Sequence, residues 1–456
     1  MRIFARILLI MAAMTWGLMG PGTLRVAMAQ QFLRDAETEI FIRKLSTPIF
    51  EAAGLEPDAI SIYLINDNTM NAFVAAGQNI FLHSGLIMNS DNANQLLGVI
   101  AHETGHIAIG HDASRGDLSR GATAMTIISM LLGVAAIAAG SPDAGIGLIL
   151  GGQTSAQRLV LRNLRVWEAS ADQAAATYLK AAGTSGRGLV EFFEKLRGQE
   201  YIMQIRQDPY VRTHPLTGDR IARLRHNVEG SPYWNTETDP ALEAEFQRIK
   251  AKLAGYVLPT RVTFRKYPVS DTSPVARYAR IYAYDREVNW EMALQEARSL
   301  VKEFPDDPFY NEITGQIYLE NGMVAESLPY YRRMAELMPH QPLLLTSLGH
   351  ALVSMDDPEL DKEAIRVLEL AVALDPFNNL GFRQLAVAYS RSGLDAYASY
   401  ATAEMFLLQH RLGDAMMHAK RATENLPTGS PRWLRAQDIT VLAEAQAHKQ
   451  RGRRRR

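Results

Sequence analysis

A spacing of 34 residues governs the second half of this chain. Pro305 and Pro339 lie 34 residues apart, as do Gly315 and Gly349. Twelve residues before Pro305, Pro339, Pro376 and Pro427 stand the small residues Ala293, Ser327, Ala364 and Ala415. Thirteen residues after the first three prolines come Tyr318, Leu352 and Tyr389. A period of that length holds two short helices, with small residues where they meet and a proline ending the second. One such unit cannot bury its apolar face alone, so the units have to stack into an all-α array.

The pattern resembles tetratricopeptide repeats. The interval from Pro339 to Pro376 is three residues longer, and "MDDPELD" offers an insertion in the turn between helices. The 51 residues from Pro376 to Pro427 make the last units irregular. Four units between residues 274 and 429 are expected, with a capping helix after Pro431.

The chain has 456 residues, 47% apolar and 21% charged, enough for two or three globular domains. A net charge of −1 argues against a nucleic-acid binder. The two ends are basic, however. Arg2 and Arg6 precede the apolar run "ILLIMAAMTWGLMG", and Ala27 and Ala29 form an A-x-A exit. Residues 1–29 therefore read as a secretory signal peptide cleaved after Ala29, with an uncleaved anchor as the alternative. The closing run "RGRRRR", residues 451–456, reads as a solvated tail, with contact to anionic lipid or nucleic acid as the other reading. Cysteine is absent, so any metal has to be held by histidine and carboxylate.

In the first half, residues 34–54 carry apolar positions at helical spacing and close on Gly54. "AISIYLIND" and "NAFVAAGQNIFLHSGLI" read as strands joined by a hairpin turn at "NDN". Within the second, "NAFVAAGQNIFL" is a candidate exposed edge, polar at Asn71 and Gln78. Capping residues at 89–92 open one long helix through "GVIAHETGHIAIGH". Residues 121–140 carry no charge, and "AGIGLILGG" follows. A helical hairpin, buried or partly exposed, is expected there, with peripheral membrane contact through 121–150 as the alternative. Residues 154–182 and 186–197 read as two further helices, and the Pro-rich polar stretch 258–274 marks a domain boundary.

The chemistry lies in "HETGHIAIGH". His102 and His106, four residues apart on a helix, project from one face and reach one metal ion. Glu103 stands about 100° round from His102, beside the metal, where it takes a proton from water. This is the H-E-x-x-H pattern. A third protein ligand is needed. His111 does not fit as one, though it is expected close by: the metzincin spacing asks for glycine and histidine where this chain has Ile109 and Asp112. Glu168 and Asp172, four residues apart among alanines, make sense as a third ligand and a carboxylate that orients a ligand imidazole.

Together "HETGH", "EASAD" and "THPLTGDR", with His214 and Arg220, resemble the HExxH zinc peptidases of the CAAX-prenyl-protease and HtpX group. Among these the chain is similar to the periplasmic type, with a signal peptide in front and tetratricopeptide repeats behind. The resemblance implies one Zn2+ per chain held by His102, His106 and Glu168, supported by Asp172, with Glu103 as general base. It implies for His214 either a cap on the zinc that restrains the protease or a donor to the oxyanion. Arg220 is implied in a salt bridge supporting the site. Gly105 lowers helix propensity inside the metal helix but permits a close neighbouring segment.

The expected fold is α+β: a mainly helical HExxH zinc-peptidase domain with a small β-hairpin or sheet, then an all-α repeat domain. Its boundaries fall at a signal peptide 1–29, a protease domain 30–258, a linker 259–273, repeats 274–450 and a tail 451–456. The resemblance implies an exported, periplasmic metalloendopeptidase cleaving misfolded or misassembled envelope proteins in outer-membrane β-barrel quality control. Its substrates would be unfolded or stalled outer-membrane proteins, docked with their assembly machinery through the repeats. Two other readings stand beside it: a chaperone or assembly scaffold with a largely self-inhibited protease centre, and a membrane-associated peptidase anchored by 121–140.

Overall fold

The computed structural model describes residues 32–111, 123, 125–132, 142–202, 210–211 and 214–454. The expected signal peptide lies outside them. The described residues divide into two compact units. One holds residues 39–250 with the short strand before them, the other residues 251 onward with Asp35–Thr38.

In the first unit β1 (Phe32–Leu33), β2 (Ser61–Ile65), β3 (Ala72–Ala75) and β4 (Asn79–His83) form one sheet in the order β1-β2-β4-β3. The expected hairpin between β2 and β3 is not formed. Instead β2 runs parallel to β4, Ser61 opposite Asn79, and the hairpin joins β3 to β4, Ala72 opposite Leu82. Local turn chemistry explains the difference. Ala76 and Gly77 take positive φ, 54° and 95°, and turn the chain back on itself. At "NDN", Asp67 accepts from Thr69 N at 2.8 Å and from Thr69 Oγ1 at 2.7 Å, closing a local turn that leads the chain away. The edge position expected for this segment falls on β3 alone.

Helices surround the sheet. α1 (Ala36–Ala52) precedes β2, and α2 (Ser84–Asn89) follows β4, so "HSGLI" turns helical instead of extending the strand. α3 (Ala93–Ile109) starts at Asn92, whose side chain accepts from Gln95 N, and ends at Gly110 with φ 73°. α4 (Pro142–Ala181) is one helix of 40 residues, so "AGIGLILGG" runs straight into the helix that carries Glu168. Residues 125–132 are helical, with Ile127, Ile128, Met130, Leu131 and Leu132 exposed; residues 133–141 lie outside the described set. Among the described residues no helix is long and apolar enough to cross a membrane. α5 (Arg187–Ile202), α6 (Gly218–Glu229) and α7 (Pro240–Val257) follow.

α3 is the hub of this unit and packs on α4, α5 and β3. Its crossing with α5 is close because Gly98 has no side chain. A Cβ there would lie 2.7 Å from Leu189 Cβ and 2.8 Å from the Leu189 backbone.

The second unit is helical. α8 (Thr260–Lys266) occupies part of the expected linker. Paired helices follow: α9 (Pro274–Arg286) with α10 (Trp290–Glu303), α11 (Pro308–Glu320) with α12 (Val324–Leu337), α13 (Pro342–Ser354) with α14 (Pro358–Leu374), and α15 (Asn379–Arg391) with α16 (Asp395–Leu408). α17 (Leu412–Asn425) and α18 (Pro431–Arg454) complete the chain, so much of the basic run expected as a solvated tail continues a helix.

The sequence period is the closest approach of these helices. Ala293, Ser327, Ala364 and Ala415 are all fully buried. A Cβ on Gly315 would lie 3.2 Å from the Tyr331 ring, and one on Gly349 2.4 Å from Leu368. The three extra residues after Pro339 do not enlarge a turn. They lengthen α14 to 17 residues against 14 in α10 and α12, because Asp357 caps Glu359 N and Pro358 takes the first helical position. The long interval before Pro427 holds three helices, α15 to α17, one more than a repeat uses.

Gly98→Ala is expected to push α3 off α5. Alanine gains about 1 kcal/mol of helix propensity, but overpacking against backbone costs about 1–3 kcal/mol. Urea unfolding should show a lower midpoint with an unchanged slope; an unchanged midpoint contradicts this packing.

Candidate active site

α3 brings His102, Glu103 and His106 to a face that is sealed from solvent, with relative exposures of 0%, 0% and 2%. α4 crosses it and offers Glu168 and Asp172, one turn apart and both buried. The crossing is tight at Gly105, where a Cβ would lie 2.9 Å from Ala171 O and 3.2 Å from Ala174 Cβ. The glycine in the metal helix thus permits the approach of the helix that carries Glu168. α6 begins at Thr217, which accepts from Arg220 N, and so places Arg220 in its first turn. His214 lies just before α6.

The side chains converge. His102 Nε2 is 3.2 Å from His106 Nε2 and 3.2 Å from His214 Nδ1. Glu168 Oε2 is 3.3 Å from His102 Nε2, Glu168 Oε1 is 3.5 Å from His106 Nε2, and both oxygens are 3.0 Å from His214 Nδ1. Four residues therefore offer ligand atoms all within 4.8 Å of one another. Four donors at about 2.0–2.1 Å from one tetrahedral ion lie about 3.3 Å apart. Five of the six separations, 3.0–3.5 Å, fit that spacing, and His106 and His214 make the remaining pair, within 4.8 Å of each other.

Outside the cluster, His102 Nδ1 is 3.0 Å from Asp172 Oδ1, which fixes the ring with Nε2 inward. Arg220 donates Nε to Asp172 Oδ2 at 2.6 Å and Nη2 to Oδ1 at 2.8 Å, while Nη1 lies 2.9 Å from Glu168 Oε2 and 3.2 Å from Pro215 O. Its guanidinium sits 4.9 Å above the Phe193 ring. One arginine thus holds both carboxylates of α4 and the loop of His214.

Charge argues for a cation. Glu103, Glu168 and Asp172 are three buried carboxylates against the single buried guanidinium of Arg220. Neither Glu103 oxygen has a hydrogen-bond partner among the described residues, and the nearest cation-forming group is His214 Nε2 at 3.5 Å. A buried carboxylate left so is costly. Among the side chains themselves, burial works to lower the His102 pKa, but Asp172 and Glu168 outweigh it and hold it up at about 9. Burial and then the neighbouring His102 push His106 well below the ordinary imidazole value. Burial would raise Glu168 and Asp172; His214 and His102 overcome it for the first, Arg220 for the second, and both are lowered. The donor set, the close convergence and the excess negative charge all fit a divalent metal ion.

His102, Glu103, His106, Glu168, Asp172, His214 and Arg220 all lie in this cluster or against it. Two more belong to it. His111, set aside as a ligand, has its Nδ1 2.9 Å from His106 Nδ1. Tyr210, fully buried, stacks on His214 with ring centres 4.5 Å apart. The only sequence trace of the latter is an aromatic residue four positions before a histidine.

Residues 35–228 match Peptidase family M48. The Beta-barrel assembly-enhancing protease of Escherichia coli (strain K12) is 23% identical over 397 residues, 86% of this chain and 80% of its own. A Vibrio cholerae relative whose name carries the same words is 25% identical over 405 residues, 88% of this chain and 83% of its own. Metalloprotease LoiP of E. coli is 29% identical over 173 residues, 38% of this chain and 64% of its own. With the H-E-x-x-H helix, the four-residue cluster and these relatives together, residues 35–228 are a Peptidase family M48 domain, and the chain is a metallopeptidase with a helical-repeat unit behind it.

Proposed function

We propose that this protein is an exported zinc endopeptidase acting in the periplasm on unfolded or stalled outer-membrane proteins. The observation that carries most weight is the convergence of His102, His106, Glu168 and His214 beside the unbonded carboxylate of Glu103. Nitrogen and carboxylate donors without a thiolate suit Zn2+. The names of the E. coli and V. cholerae relatives support a place in β-barrel assembly. Stacked helical repeats are docking surfaces, and here they dock the substrate or its assembly machinery.

His102, His106 and Glu168 would hold Zn2+, which would supply Lewis-acid polarisation of the scissile carbonyl and the attacking water. Glu103 accepts the water's proton and delivers it to the leaving amine. Asp172 orients His102 through Nδ1, and Arg220 keeps Asp172 and Glu168 in register. β3, at the sheet edge and against α3, takes an extended substrate as an added strand. His214 Nδ1 lies among the other donors, 3.2 Å from His102 Nε2 and 3.0 Å from Glu168, where it would compete with water for the metal, which supports a cap over an oxyanion donor. The resting enzyme is then restrained, and docking through the repeats continues while the site is closed.

Glu103→Gln is expected to keep the metal and lose nearly all turnover, since an amide cannot accept the proton. Glu168→Ala is expected to lose the metal itself on elemental analysis of purified protein. A metal-replete Glu168→Ala protein contradicts the ligand set. Chelation should abolish peptide hydrolysis by the wild type; turnover that survives it would remove the metal from the mechanism.

His214→Ala is expected to raise peptide hydrolysis and self-cleavage. A loss of about 10²–10³-fold with the metal retained, the usual effect of removing an oxyanion donor, would assign His214 the other role.

A further inference from the structure

We infer that His111 is a positioning residue for the metal, doing for His106 what Asp172 does for His102. The inference rests on reading His106 as a metal ligand. Both ligand imidazoles of α3 turn Nε2 into the cluster, 3.2 Å apart. Each then has Nδ1 left on its buried far side. For His102 that nitrogen meets Asp172 Oδ1 at 3.0 Å. For His106 it meets His111 Nδ1 at 2.9 Å.

The chemistry of the contact fixes the tautomers. An imidazole that gives its Nε2 lone pair to a metal carries its proton on Nδ1. His106 Nδ1–H therefore donates, and His111 Nδ1 accepts with its own proton on Nε2. This holds the His106 ring at one angle and makes its Nε2 a better donor.

The chain is shaped to make this contact. An unbroken helix would carry residue 111 about 140° round from His106. Instead α3 stops at Gly110 in the left-handed region, φ 73°, with its N–H returned to the His106 and Ile107 carbonyls. The turn brings His111 back over His106. There it is 3% exposed, and its ring lies flat on Trp167, with centres 5.4 Å apart and planes at 21°. Trp167 adjoins Glu168, so the helix that supplies the third ligand also supplies the plate that holds His111.

The test uses the full-length protein and two substitutions that separate the acceptor from the ring. His111→Phe keeps a flat ring on Trp167 and removes the acceptor. His111→Asn keeps an acceptor and removes the ring. Zn2+ affinity is read by competition with a chromophoric chelator, and thermal melting of metal-free protein reports packing alone. The positioning role predicts that His111→Phe binds Zn2+ about 10–100-fold more weakly with its metal-free melting unchanged, and that His111→Asn recovers part of the affinity. Wild-type Zn2+ affinity in His111→Phe, with a lowered melting temperature in His111→Asn, overturns it in favour of simple packing. If His111→Phe does not fold, His111→Asn decides: affinity near wild type supports the acceptor, and affinity lost by 100-fold or more overturns it. His106→Ala is measured alongside. Zinc retained in that variant would remove His106 from the ligand set, a failure distinct from any result at His111.

Discussion

Two carboxylates one turn apart on α4 are buried, and the site is organised around matching their charge. Arg220 does this for Asp172 with a bidentate pair, and it also contacts Glu168 and the carbonyl of Pro215, while His214 and His102 face Glu168. Removing one partner of such a buried pair costs about 3–5 kcal/mol, because the other is left charged and unmatched. The consequence is positional. Arg220 cannot satisfy these groups unless α4, α6 and the loop of His214 sit together, and Phe193 of α5 forms the floor beneath it. The candidate ligands inherit their geometry from this clamp.

α3 reaches the clamp by giving up side chains. Gly105 admits the Ala171 carbonyl, and Gly98 admits the backbone of Leu189. Glycine costs about 1 kcal/mol of helix propensity at each position. What it allows is contact close enough for His102 to span Nε2 to the cluster and Nδ1 to Asp172 at once. Packing and chemistry here are the same constraint.

Much of the site was legible because helical periodicity is local. His102, Glu103 and His106 follow from one turn of α3, and Glu168 with Asp172 from one turn of α4. The repeats were legible for a related reason: each helix contacts its neighbours, so the period survives in Ala293, Ser327 and Ala364. What could not be read depends mostly on breaks in regularity. His111 was expected close by, but its contact with His106 exists only because Gly110 leaves the helix, and no helical spacing relates residues five apart. Tyr210 stacks on His214 across one backbone turn, closed by His214 N donating to Tyr210 O, and a lone aromatic and histidine four apart carry no signal by themselves. The parallel pairing of β2 with β4 reads as a hairpin until the Asx turn at Asp67 and the positive φ values at Ala76 and Gly77 are seen. The extra residues after Pro339 look like a loop insertion, whereas Asp357 and Pro358 start a helix.

The central claim is that His102, His106, Glu168 and His214 surround one zinc ion. X-ray absorption at the zinc edge of purified full-length protein tests it most directly. The account predicts four nitrogen and oxygen neighbours at about 2.0–2.1 Å, with the outer scattering of three imidazole rings. A shell with the outer scattering of only two imidazoles, its remaining neighbours all oxygen, would contradict the place given to His214.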